Sequence, residues 1–179
     1  PEQLHPENRG QLRQATAELM ESFTARPDSY ESHYNMGNFY LDRTDHERAL
    51  QSYRMATKLR PDFVPPYVNA AFAYNAKGKN VEAERLFKKA IALDPNNAAV
   101  HLNLGMLLGE MQRAKEAERA FRQALKVDPN SAAAAYNLGV LLAESRPQES
   151  LDLCRKAFQL RREDGKYGYT YAFFLTQRG

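Results

Sequence analysis

The chain has 179 residues, enough for one ordinary domain or one repeat array, and 43% of them are hydrophobic, so a core can be buried. Its net charge of +3 comes from 25 Lys and Arg set among 22 Asp and Glu, as in Glu82-Ala83-Glu84-Arg85 and Lys115-Glu116-Ala117-Glu118-Arg119. Such interleaving describes solvated helix faces and argues against a nucleic-acid-binding stripe. The single cysteine, Cys154, excludes an internal disulfide framework and fits a small buried thiol. No apolar run approaches the ~18–20 residues that a membrane helix needs, so no membrane insertion is expected. No signal-peptide pattern opens the chain, which starts at Pro1 without a Met and reads as a fragment.

In chain order, residues 6–29 carry one amphipathic helical stretch closed by Pro27. Tyr30 to about Arg43 forms a helix with His33, Met36, Phe39 and Tyr40 at helical spacing. Thr44-Asp45 supplies a turn and a cap. His46 to about Arg60 forms a second helix with Ala49, Leu50, Tyr53, Ala56 and Leu59 on one stripe. Pro61 ends it, because proline lacks an N–H and disfavours helix in the residue before it. The same sequence of signals returns in residues 64–97, 98–131 and 132–164. The last of these loses one residue near Arg146-Pro147, and residues 165–179 give one more first helix without a partner. Half-units at both ends are expected of a segment cut from a longer array. Tyr167, Tyr171, Phe174 and Leu175 are expected to lie partly uncovered there, as an apolar edge on which a second copy could pair.

The repetition has a strict period. Pro27, Pro61, Pro95 and Pro129 are each 34 residues apart, as are Ala15, Ala49, Ala83 and Ala117, and as are Leu19, Tyr53, Phe87 and Phe121. Ala56, Ala90 and Ala124 form another column, and Asn35, Asn69, Asn103 and Asn137 one more. Gly37, Gly105 and Gly139 share the lattice, with Ala71 in the gap. Gly37 and Ala49 fall where two helix backbones must approach closely, with Tyr53 and Met36 beside them. One helix pair cannot bury its apolar stripe alone. Stacking on neighbours supplies that burial, at about 1.5–3 kcal/mol for each large side chain fully covered.

These columns make the chain resemble the tetratricopeptide repeat. Residues 64–97 match its pattern with Tyr67, Ala71, Tyr74, Gly78, Ala83, Phe87, Ala90 and Pro95. Residues 98–131 match with Leu104, Gly105, Leu108, Ala117, Phe121, Ala124 and Pro129. The resemblance implies an all-α architecture, an α-α superhelix of antiparallel helix pairs filling residues 1–179 as one array. It also implies that the first helices line a groove. On that lattice the fifth positions are Tyr34, Val68, Leu102 and Tyr136, and the sixth are Asn35, Asn69, Asn103 and Asn137. The ninth are Asn38, Phe72, Met106 and Val140, with Asp42, Asn75, Glu110 and Glu144 further along. Tyr169 and Phe173 extend the set into the last helix.

A carboxamide offers donors and acceptors together, so a row of Asn can pair with the backbone of an extended chain without selecting its side chains. Similar asparagine ladders line the repeat domain of the O-linked N-acetylglucosamine transferase, which implies peptide-backbone recognition; the alternative is that each Asn bonds to an adjacent helix. The apolar members point to a partner with apolar or aromatic side chains, or else pack between first helices. The chaperone-tail clamp of some relatives is not built. Asn38 is present, but Tyr34 stands in place of a Lys, and Ala99 and Asn103 occupy the later basic positions.

Nothing in the sequence marks an active site, a cofactor or a metal. His33 and His101 fall at packing positions two units apart, and His5 and His46 have no companions. Cys154 has no His in register, and Gly165-Lys166-Tyr167-Gly168 lacks the spacing of a phosphate loop. The sequence is therefore expected to encode a protein-interaction scaffold that takes an extended peptide or a helix of a partner. The alternative is a structural spacer or self-assembly element of a larger protein, including one that docks an enzyme or electron carrier.

Overall fold

A computed structural model describes residues 10–11, 14–18, 21 and 29–177, and among these every regular element is helical. Two compact units divide the chain, Pro1–Lys79 and Asn80–Gly179. Residues 10–11, 14–18 and 21 are helical, as expected for part of 6–29, whereas His5, Leu19 and Pro27 lie outside the described residues.

The first unit contains α1 (Tyr30–Asp42), α2 (His46–Leu59) and α3 (Val64–Ala76). Ser29 caps α1 by accepting from the Ser32 amide, and Asp45 caps α2 by accepting from that of Arg48. Between them Thr44 takes a positive φ of 58°, which reverses the chain tightly enough for an antiparallel pair. Arg60 turns extended ahead of Pro61 and closes α2. Prolines then sit in the first turn of α3, where a missing N–H leaves no helical bond unmade. Ala49 and Ala56 are wholly buried, and a methyl group on Gly37 would collide with the Tyr53 ring. The small-against-aromatic column thus sets how closely α1 and α2 pack. Leu59 departs from the expected stripe and is exposed. At about 100° per residue it lies roughly 80° off the line through Ala49, Tyr53 and Ala56.

The second unit contains α4 (Asn80–Leu93), α5 (Ala98–Glu110), α6 (Ala114–Val127), α7 (Ala132–Leu141), α8 (Pro147–Leu160) and α9 (Gly165–Thr176). The pairs α5/α6 and α7/α8 repeat the α1/α2 arrangement, while α4 packs on α5, α6 on α7 and α8 on α9. Asn97, Ser131 and Asp164 cap α5, α7 and α9. Gly105 faces the Phe121 ring, and Gly139 faces Cys154, which takes the slot of that aromatic in the shortened repeat. There α7 has only 10 residues where α5 has 13. The cysteine is fully buried, and burial pushes its thiol up to about 11.

Two expectations fail in this unit. Tyr167 is 8% exposed, covered by a cluster of Ala132, Ala135 and Ala157, with the Tyr136 ring 5.1 Å from its own. The rest of the expected edge is there, with Leu175 exposed and Tyr171 and Phe174 half-buried, and Tyr169 and Phe173 are exposed beside them. Glu84, read from the sequence as part of a solvated face, is buried. Arg113 donates to both of its oxygens and Lys88 pairs with it at 2.6 Å, so the charge is compensated.

Candidate docking face on the first helices

Residues four apart on a helix lie nearly one above another, so i, i+4 and i+8 form a row along one face. In the first unit this row is Tyr34, Asn38 and Asp42 on α1, and Val68, Phe72 and Ala76 on α3. In the second unit it is Leu102, Met106 and Glu110 on α5, Tyr136 and Val140 on α7 with Glu144 just beyond, and Tyr169, Phe173 and Gln177 at α9. The fifth-position side chains Tyr34, Val68, Leu102 and Tyr136 are half-buried. Tyr34 packs edge-on to Phe63, with ring centroids 5.3 Å apart, and Tyr136 lies against Tyr167. The ninth-position side chains are more open: Phe72 is 41% exposed, Met106 44%, Val140 43% and Phe173 46%. Water therefore meets a large apolar side chain at one fixed step on α3, α5, α7 and α9.

The four asparagines are not equivalent. The Asn69 amide donates to Asn38 Oδ1 at 2.8 Å and to the Tyr34 hydroxyl at 3.4 Å. Asn38 Oδ1 also accepts from the Tyr53 hydroxyl at 2.9 Å. Asn38 and Asn69 thereby tie α1, α2 and α3 together, and burial pushes the Tyr53 phenol well above its ordinary value. Asn137 donates to the Ala133 carbonyl of its own helix at 2.8 Å; its neighbour one repeat back on the ninth column is Met106, which offers no comparable acceptor. Asn35 is exposed and Asn103 half-buried, with both carboxamides open to further bonding. Asn35, Asn38 and Asp42 line a depression of about 380 Å³ with Ala15, Thr16, Phe39 and Arg43.

Charge is sorted between the two kinds of helix. Among the described residues, α1, α3, α5 and α7 hold no Lys or Arg, and α9 holds only Lys166, whose ammonium lies 4.4 Å from the Tyr136 ring centre. The second helices α2, α4, α6 and α8 each carry between two and four. This partition was legible in the sequence and went unread there, because interleaving was judged along the chain and not helix by helix. Two loop arginines of the second unit turn towards the second helices. Arg113 bonds to Glu84 and Glu116, and Arg146 to Glu118 and Glu149. These bonds hold the Glu84, Glu116 and Glu118 carboxyls below the usual carboxylate range.

The described histidines serve packing. His101 is buried, with Nε2 2.9 Å from the Pro95 carbonyl oxygen, and His33 and His46 are half-buried. Among the described residues no group of His, Cys, Asp or Glu has the arrangement of a metal site, and no helix is long and apolar enough to cross a membrane.

Family models described as Tetratricopeptide repeat match residues 30–63 and 74–139. Solved structures share the fold. MamA superposes with a TM-score of 0.75 at 20% identity, over 90% of this chain and 95% of its own. PilF of Pseudomonas aeruginosa gives 0.76 at 24%, over 86% of this chain and 71% of its own. YrrB, described as a TPR protein with an unusual peptide-binding site, gives 0.71 at 21%, over 89% and 83%. No curated protein matches the sequence.

Proposed function

We propose that this chain, which belongs to the tetratricopeptide-repeat family and is a protein-interaction scaffold, takes an extended peptide or a helix of a partner protein on the face of its first helices. The observation that carries this reading is the ninth-position row. Phe72, Met106 and Val140 stay more than two-fifths exposed on helices whose other large apolar side chains are buried or half-buried. An exposed apolar row at a fixed step supplies the desolvating contacts of an interface. Half-buried fifth-position side chains lie beside it in each unit, Tyr34 and Val68 in the first and Leu102 and Tyr136 in the second. Asn35 and Asn103 offer amides to a partner's backbone, and Asn137 keeps a free carboxamide oxygen. Asn38 and Asn69 act by holding the first helices in place. The neighbour described as having a peptide-binding site shares this fold and makes the reading natural for this chain. The chain works by binding, with no chemistry of its own.

Affinity capture from the chain's own cells, with identification of the bound proteins, tests this. Met106→Asp with Val140→Asp should lose the partner, while Lys115→Asp with Arg119→Asp on α6 should keep it. Equal capture by the two variants would overturn the proposal. A second reading rests on α9, where Tyr169 is 75% exposed beside Phe173 and Leu175. It makes this edge a self-pairing surface. A dimer in light scattering that Tyr169→Asp with Phe173→Asp converts to monomer would favour it, and a strict monomer would dismiss it.

A further inference from the structure

The face of the second unit carries more than apolar side chains. Its rows on α5 and α7 end in acids, Glu110 as the last residue of α5 and Glu144 three residues past α7, both exposed. A carboxylate at a helix C-terminus meets the negative end of the macrodipole and contributes nothing favourable to the helix. No basic residue occupies the last turn of α7 to offset Glu144. Arg146, the arginine nearest to it in sequence, pairs with Glu118 and Glu149 on the second helices. Glu144 also borders a cavity of about 400 Å³ whose wall includes Ala143, Pro147, Phe173 and Phe174. A cavity lined by an acid, two aromatic rings and apolar side chains matches the two ends of a Lys or Arg side chain, an aliphatic stem and a cationic head.

Resting on the docking role proposed above, we infer that this face receives a cationic amphipathic helix of a partner protein. Its apolar stripe covers Met106, Val140 and Phe173, and a Lys or Arg on one flank enters the cavity beside Glu144. One feature selects a helix over an extended strand. The fifth and ninth positions make two parallel apolar rows about 6 Å apart along each helix, which suits the broad stripe of a helix and not the single file of a strand. The charge sorting sets the orientation. Lys166 lies at the N-terminal edge of the face and the acids at the other, so the cationic flank runs along the acidic edge.

Synthetic peptides test this against the full chain by fluorescence anisotropy. They share one Leu stripe over about 18 residues, five helical turns, and carry Lys, Gln or Glu on one flank. A fourth carries the Lys flank with a central Pro. The Lys peptide should bind about 10-fold tighter than the Gln peptide and tighter still than the Glu peptide, and Glu144→Gln should remove about 5-fold of that preference. Val140→Asp with Met106→Asp should abolish binding of all of them, and melting curves confirm that the variants fold. Equal affinities for Lys, Gln and Glu flanks, or a Lys preference untouched by Glu144→Gln, would overturn the cationic assignment while leaving the docking face standing. Undiminished binding of the Pro peptide would overturn the helical occupant. Binding indifferent to Val140→Asp with Met106→Asp would remove the docking face itself.

Discussion

Gly105 and Gly109 lie one turn apart on α5, and the structure assigns them opposite responses to the same methyl group. A Cβ on Gly105 would stand 2.5 Å from Cδ1 and Cε1 of Phe121 and 3.1 Å from its Cζ. Carbon atoms in ordinary contact sit about 3.5–4 Å apart, so the overlap is about 1 Å. Phe121 is buried and has no room to swing aside. Overpacking of this kind costs up to about 3 kcal/mol, and the helix propensity of Ala over Gly returns about 1, leaving a net loss of about 2 kcal/mol. A Cβ on Gly109 meets nothing within 4 Å, so there the gain of about 1 kcal/mol stands alone. In a chain of this size a kcal/mol moves the melting temperature by about 2–4 °C. Thermal unfolding followed by circular dichroism should show Gly105→Ala melting about 4–8 °C below the parent and Gly109→Ala about 2–4 °C above it. A Gly105→Ala protein that melts at or above the parent would refute the close small-against-aromatic packing on which the helix pairs are built.

Three further outcomes follow from the same geometry. Glu84 titrates below its ordinary value because Arg113 and Lys88 hold its charged form, so its contribution is complete above pH 4.5 or so and is lost as pH falls through the lower folded value. Between pH 5 and 3 the melting temperature of the parent should therefore fall more steeply than that of Glu84→Gln; parallel acid limbs would show that the pair does not contribute. The Cys154 thiol, buried and raised to about 11, should stay unreactive to a disulfide reagent at pH 8, with about one thiol in a thousand ionised; rapid labelling of the native chain would contradict its placement. Tyr53→Phe removes one donor to Asn38 and should cost about 1 kcal/mol in denaturant unfolding, whereas Asn69→Ala, which breaks the link between α1 and α3, should cost at least as much; a neutral Asn69→Ala would mean the network is not formed.

The 34-residue columns fixed where helices start, stop and approach, because proline, small residues and aromatics act locally and repeat. The Asp45 cap was readable too, because a capping side chain acts on the amides of its own first turn. The left-handed turn after the first helix was not. It recurs at Thr44, Gly78 and Gln112 with φ of 58°, 70° and 59°, but only the middle one carries a glycine to advertise it. Glu84 escaped notice because its partner Arg113 lies 29 residues away, and only folding brings the two together. The asparagine column looked uniform because each member was read alone. Within a unit, what an amide does depends on the ninth-position residue of the repeat before it, an acceptor at Asn38 for Asn69 and an apolar side chain at Met106 for Asn137. The exposure of Phe72, Met106 and Val140 comes from the packing around them, so sequence spacing put them on one face of their helices without saying how open they are.

Amide chemical-shift mapping during titration with the Lys-flanked peptide tests the central claim most directly. The account requires the shifts to fall on residues 102–110, 136–144 and 169–177, along the open rows of α5, α7 and α9. Shifts confined to residues 114–127 and 147–160, on the second helices, would contradict it.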